Sequence, residues 1–148
     1  MISVLVGSLA SLCNIAIHAC AMTWVIRVAQ TTGQNYRGGR SSLLVVVMTP
    51  TISVLMVAHA VEVVVWAITY FLVGACARCG ADLVYFVGVT FTTLGYGDVV
   101  PVTEWKLLAP ITAMNGVLLF GWSTAVIFEV LHRALQLADR DGPSKPAI

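Results

Sequence analysis

The stretch TFTTLGYGD, residues 90–98, interrupts a chain that is otherwise strongly apolar. Two glycines, Gly95 and Gly97, flank one tyrosine, Tyr96, and an aspartate, Asp98, follows directly. Glycine holds backbone angles that other residues disfavour, so the pattern implies that the backbone itself carries a task here. Immediately before it lies an apolar piece, Leu83 to Phe91. As a helix it would measure about 13–14 Å, too short to cross a hydrocarbon core of about 30 Å. A re-entrant half-helix fits that length, provided its backbone is buried in protein or lines water.

The whole chain explains why a membrane is the right frame. Of 148 residues, 59% are hydrophobic and only 10% charged, with a mean hydropathy of +0.92. An ordinary soluble domain carries about 25% charged residues, so this chain has more apolar surface than its own core can cover, and lipid must cover the rest. A net charge of +1 leaves no basic face for nucleic acid. The longest polar stretches, 29–42 and 133–148, are too short for a soluble ligand domain. Gly121-Trp122-Ser123-Thr124-Ala125 lacks the last glycine and the strand of a nucleophile elbow, and no enzyme is expected.

Three segments, about 2–26, 43–73 and 107–131, are long enough to span. Thr49-Pro50 reads as a helix start, which would make 50–73 the spanning part and 43–48 a lead-in. Arg27, Arg37 and Arg40 fall in the first connection without an acid, and Arg133, Arg140 and Lys145 fall in the tail. Positive residues stay cytoplasmic, which predicts three crossings with the N-terminus outside and the C-terminus inside. Trp24 and Trp105 then sit near opposite interfaces. Ala19-Cys20-Ala21 has a faint look of a cleavage site, but no Lys or Arg precedes the apolar run as a signal peptide requires.

A short helix that enters from outside and a chain that returns extended leave carbonyl oxygens without backbone partners, which hydrocarbon penalises. A dehydrated cation satisfies them. The glycines let successive carbonyls aim to one side, and the Thr93 hydroxyl adds an oxygen at the inner end. One strand cannot surround an ion, so several copies must, and four close such a ring. Thr93-Leu94-Gly95-Tyr96-Gly97 resembles the filter of potassium channels, the sequence that serves as the standard illustration of carbonyl selectivity. The resemblance to this pore-loop family, in its bacterial two-helix form, runs from about residue 50 to 131 and includes Asp98, Pro101-Val102-Thr103 and Trp105. It implies an all-α membrane protein, tetrameric around a central pore, with K+ sites at the carbonyls of Thr93, Leu94, Gly95 and Tyr96 and no organic cofactor. It also implies an outer mouth at Asp98.

The pattern departs from the family in places. Leu94 stands where valine is commonest. Val89 stands where some relatives carry an acid behind the filter, and Phe86, which has no donor, is matched to an aromatic that ties the aspartate. Asp98 is therefore expected to be loosely held, and conduction to be lost easily at low potassium.

The remaining polar residues invite their own readings. Glu129 fits a carboxylate ring at the inner mouth or an i,i+4 pair with Arg133. Gly116 and Gly121 suit hinges or close packing. Ser3, Gly7, Ser11, Asn14 and His18 form one stripe on the first segment. His59 and Glu62 lie one turn apart in the second segment, and Asn115 lies in the third, at similar depth. Ionisable residues there are costly and usually functional. Asn14, His18, His59, Glu62 and Asn115 are expected to form a polar cluster that is either structural or proton-sensitive. A two-metal site from His59-x-x-Glu62 and Glu129-x-x-His132 is disfavoured because the pairs lie at different depths. Cys76 and Cys79, on the outer side, can form a disulfide.

The expected organisation is an extra transmembrane helix at 1–28, a cytoplasmic loop at 29–42, a pore domain at 43–131 and a short tail at 132–148. The expected function is passive K+ conduction by a homotetramer in the bacterial inner membrane. The alternatives are a weakly selective cation channel and a non-conducting regulatory subunit.

Overall fold

The structure is a computed structural model, and it describes residues 1–35, 39–76 and 82–140. All regular structure in the described residues is helical: α1 (Ile2–Asn35), α2 (Arg40–Leu72), α3 (Leu83–Phe91), a single 3-10 turn at Thr103–Trp105, and α4 (Leu108–Arg140). Three helices are long and apolar enough to cross a membrane. At 1.5 Å per residue the 33 residues of α2 and of α4 give rods of about 50 Å, longer than a hydrocarbon core of about 30 Å. Each therefore extends beyond the bilayer core.

The buried positions show why these rods associate. On α4 they include Leu108, Thr112, Asn115, Leu119, Ser123, Val126, Val130 and Ala134, spaced three or four apart on one face. On α2 the same spacing runs through Leu43, Val47, Thr51, Leu55, Ala58, Glu62, Trp66 and Tyr70. On α1 it runs through Ser3, Ala10, Asn14, His18, Met22 and Val25, and at Gly7 an added Cβ would lie 2.9 Å from Ile111 Cδ1. Contacts of α1 with the 3-10 turn and α4 keep a nearly constant offset, from Ser3 Oγ on the Glu104 carbonyl at 3.0 Å to Asn14 Nδ2 on Asn115 Oδ1 at 3.2 Å. The two helices thus run parallel, with α2 antiparallel beside both. One apolar cluster gathers Trp66, Tyr70, Phe86, Phe91, Leu108 and Leu119 around α3. A second joins Met22, Val25, Leu43, Val47, Val126 and Val130 at the other end.

Three boundaries differ from the sequence reading. Helix α2 does not begin at Pro50 but passes through it from Arg40. Proline removes one backbone donor and normally breaks a helix. Here Leu43 and Val47 are buried against α1 and α4, and their packing holds the earlier turns helical. Helix α1 continues to Asn35, into the stretch expected to be a loop. Helix α4 continues to Arg140, so residues 132–140 are helical rather than irregular, and Ala134 is buried in the second cluster. Helix α3 has the bounds expected of the half-helix.

Candidate functional site

The C-terminal end of α3 feeds directly into residues 92–98, all of which are exposed on the single subunit. Positive φ recurs at every second residue: 61° at Thr93, 59° at Gly95 and 76° at Gly97. For glycine this is ordinary. For a β-branched threonine it is an outlier that costs about 1–3 kcal/mol and persists where the surroundings dictate it. Alternating left- and right-handed residues bring successive N–H groups to one side of the chain. The N–H groups of Leu94 and Gly95 both donate to the Val89 carbonyl, at 2.9 and 3.2 Å, and Thr93 N–H donates to the Thr90 carbonyl at 3.0 Å. With the donors turned to α3, the carbonyl oxygens face away from it. None of the backbone hydrogen bonds among the described residues ends on a carbonyl from Thr93 to Gly97.

The depth of this turn follows from its contacts. An added Cβ on Gly116 would lie 2.0 Å from the Phe91 carbonyl oxygen, so α4 touches the backbone at the end of α3. Gly116 lies about 12 Å along α4 from its first residue. Phe91 is fully buried, with its ring 5.6 Å from Phe120 and 6.3 Å from the His59 ring. Tyr70 packs edge-on against Phe86 at 5.2 Å and bonds the Thr112 hydroxyl at 3.2 Å, which fixes α3 to both long helices. Of the two readings of Gly116, close packing is the one its surroundings require; at Gly121 the subunit leaves open space.

The expectation that Asp98 is loosely held is wrong. The donor comes one residue before Phe86: Tyr85 Oη donates to Asp98 Oδ2 at 2.8 Å, and Val99 N–H donates to Asp98 Oδ1 at 3.0 Å. The bond to Asp98 pushes the Tyr85 phenol above its ordinary value, so the donor keeps its proton into alkaline solution. Phe86 instead points into the core. Behind the loop, Val89 serves through its carbonyl alone. Flanking residues close the outer end, with Val102 N–H on the Ala75 carbonyl at 2.9 Å.

A family model described as an ion channel matches residues 57–133, just over half of the chain, from the middle of α2 through α3 and its loop to Arg133. The chain belongs to this family of two-helix pore-loop ion channels. Comparison with curated proteins and with solved structures gives no match. In this channel subunit α1 lies outside the matched segment, and the apolar helices make it a multi-pass membrane protein.

The structure brings the polar residues of the three long helices together. His18 Nδ1 lies 2.7 Å from Glu62 Oε1, and His59 Nδ1 lies 2.8 Å from Glu62 Oε2. On their far sides both rings meet one hydroxyl: Ser123 Oγ is 3.0 Å from His59 Nε2 and 3.4 Å from His18 Nε2. His18, Glu62 and Ser123 are buried. Next to this ring Asn14 Nδ2 donates to the Glu62 carbonyl at 3.3 Å and to Asn115 Oδ1, which also accepts Trp66 Nε1–H at 3.0 Å. The indole can only donate and the carbonyl only accept, so both amide orientations are fixed. Asn14 Oδ1 and Asn115 Nδ2 are left without a partner. The sequence reading missed Ser123, Trp66, Tyr85 and Thr112. Ser123 and Thr112 share the buried stripe of Asn115, and that spacing was the signal available for them.

The Glu129–Arg133 ion pair forms, with both side chains about half exposed. Glu129 and His59-x-x-Glu62 lie on different levels, and no described metal-ligating group joins them. Cys76 is held in a disulfide. Cys79 lies outside the described residues. Cys13 and Cys20 are free thiols on the exposed face of α1.

Proposed function

We propose that four copies of this chain form a potassium-selective pore, with the carbonyl oxygens of Thr93, Leu94, Gly95 and Tyr96 as successive K+ sites and the Thr93 hydroxyl at the inner end. The observation that carries the reading is the row of unpaired carbonyls at membrane depth. Bare backbone there is tolerated only when buried in protein or lining water, and four such rows facing one axis replace the hydration shell of a passing cation. The alternation of φ supports it, because it accompanies the turn of the Thr93, Leu94 and Gly95 N–H groups toward α3. The carboxyl end of α3, with its partial negative charge, lies just below the loop and favours a cation in the water beneath it. Asp98, tied by Tyr85, stands at the outer mouth. Glu129, partly engaged by Arg133, stands at the inner mouth, about 20 Å further along α4 than Gly116. Arg27, Arg37 and Arg40 around the first connection and Arg133 and Arg140 on α4 support a cytoplasmic side there and an outside N-terminus, in a bacterial inner membrane on this reading.

The test is ion flux into liposomes holding the purified protein, under K+ and then Na+ gradients, with Gly95→Ala as comparison. K+ flux abolished by the substitution is expected, because alanine is strained at a φ of 59°. Equal K+ and Na+ flux would replace this reading with a weakly selective cation pore. A protein recovered only with a second, conducting chain would make it a regulatory subunit.

A further inference from the structure

The four side chains Glu62, His18, Ser123 and His59 close a ring of four hydrogen bonds, and counting hydrogens fixes how many protons that ring holds. Each contact needs one hydrogen. The serine hydroxyl brings one, and two neutral imidazoles bring one each. The fourth has to come from an additional proton, whether it sits on an imidazole beside an ionised carboxylate or on the carboxyl beside two neutral imidazoles. The count does not depend on which tautomer is drawn. In both cases the ring is electrically neutral, which is what a buried, lipid-enclosed cluster requires.

We infer that His18, His59, Glu62 and Ser123 form a single-proton binding site that clamps α1 and α2 onto α4. The groups facing it are few. Helix α1 supplies His18, and α2 supplies His59 and Glu62. Helix α4 supplies Ser123 with the rings of Phe120 and Trp122, 4.4 Å from His59 and 5.3 Å from His18. Helix α3 supplies the Phe91 ring. No other charged group among the described residues touches the ring. Loss of the proton leaves one imidazole nitrogen and Ser123 without a hydrogen between them and a net negative charge. Gain of a second makes both Nε2 atoms donors toward one hydroxyl and leaves the serine proton unpartnered. Either change loosens α4, and His59 against Phe91 passes it to the base of the pore loop.

A divalent metal is the rival occupant, since two imidazoles and a carboxylate are a familiar zinc set. Tetrahedral bonds of about 2.0–2.1 Å would hold nitrogen and oxygen about 3.3 Å apart. His18, His59 and Glu62 are close enough together to serve as ligands, and the 2.7 and 2.8 Å contacts are hydrogen-bond distances, shorter than that separation, so the ring as it stands is closed by protons.

The count has a thermodynamic signature. Stability rises with pH where the unfolded chain binds more protons than the folded one, and falls where it binds fewer. The unfolded chain binds two protons on these histidines in acid and none in alkali, and one in total near pH 6.5. The folded ring holds one throughout. The site therefore contributes a stability maximum near pH 6.5, with the folding equilibrium falling by up to tenfold per pH unit on either side. The experiment uses the full chain carrying His132→Gln, so that only the two ring histidines remain, and needs no disruptive variant. Thermal denaturation in detergent is recorded between about pH 5 and 8, together with nitrogen-15 histidine and carbon-13 glutamate carboxyl spectra. A maximum near pH 6.5, and one extra proton shared by the imidazoles and Glu62 across that range, are expected. Ser123→Ala should flatten the maximum while the protein remains folded. Two neutral imidazoles with an ionised Glu62, or two imidazolium rings, would overturn the inference. The former state with resonances that move on adding zinc would assign the site to a metal instead. A monotonic stability curve would also overturn it. None of these readouts requires conduction, so they stand apart from the potassium reading.

Discussion

Replacing Gly116 by alanine tests whether α4 is anchored on the pore helix by backbone contact. The new Cβ would lie 2.0 Å from the Phe91 carbonyl oxygen, 2.9 Å from its carbon and 3.2 Å from the ring. Carbon and oxygen tolerate no less than about 3.3 Å, so α3 and α4 must separate by about 1.3 Å. Overfilling a packed site typically costs about 1–3 kcal/mol, and here the obstacle is backbone, which cannot rotate aside, so the upper part of that range is expected. Because Phe91 is two residues before Thr93, the shift also reaches the inner end of the loop. The assay is thermal denaturation of the purified protein in detergent, with ion flux on the same preparation. Gly7→Ala is the comparison: its nearest neighbour is a methyl of Ile111 at 2.9 Å, which can turn away, and a loss below about 1 kcal/mol is expected. Parental stability with parental flux in Gly116→Ala would refute the packing argument. Parental stability with altered open probability would make Gly116 a hinge.

Other substitutions carry sharp expectations. Tyr85→Phe frees one oxygen of Asp98 and should speed the loss of conduction at low potassium; recovery curves identical to the parent would remove Tyr85 from the account. Leu94→Val should leave ion selectivity unchanged, since only the carbonyl of residue 94 serves the site, and a changed reversal potential would show otherwise. Pro50→Ala should raise stability by up to about 3 kcal/mol, because Pro50 lies inside α2 and lacks a helical donor; a helix that truly began there would gain nothing. Open probability should stay constant between about pH 5 and 8, because the folded ring keeps its single proton across that range; a curve that follows pH and loses that dependence in His59→Gln would show the folded ring titrating and overturn the single-proton count.

Much of this was legible in the residues because membrane helices announce themselves by length and apolarity. The bounds of α3 and the loop after it could be read because glycine spacing and a nine-residue apolar run are local signals. Helix ends were not readable. Thr49-Pro50 is a genuine local start signal, and the burial of Leu43 and Val47 against other helices overrides it. The tie on Asp98 was misplaced by one residue, since helical phase, invisible in a short apolar run, decides whether Tyr85 or Phe86 faces the loop. The polar cluster was expected from the depth of His18, His59 and Glu62. The residue that closes it, Ser123, sits in a sequence context that drew attention as a false nucleophile motif rather than as the next step of a buried stripe.

The most direct test of the central claim is the reversal potential of the reconstituted protein in a planar bilayer, with equal K+ on one side and Na+ on the other. A filter built on the carbonyls of residues 93–96 predicts a displacement from zero of about 59 mV for every tenfold preference for K+, and loss of the current itself in Gly95→Ala. Reversal at zero, with robust current, would contradict a potassium-selective filter in this chain.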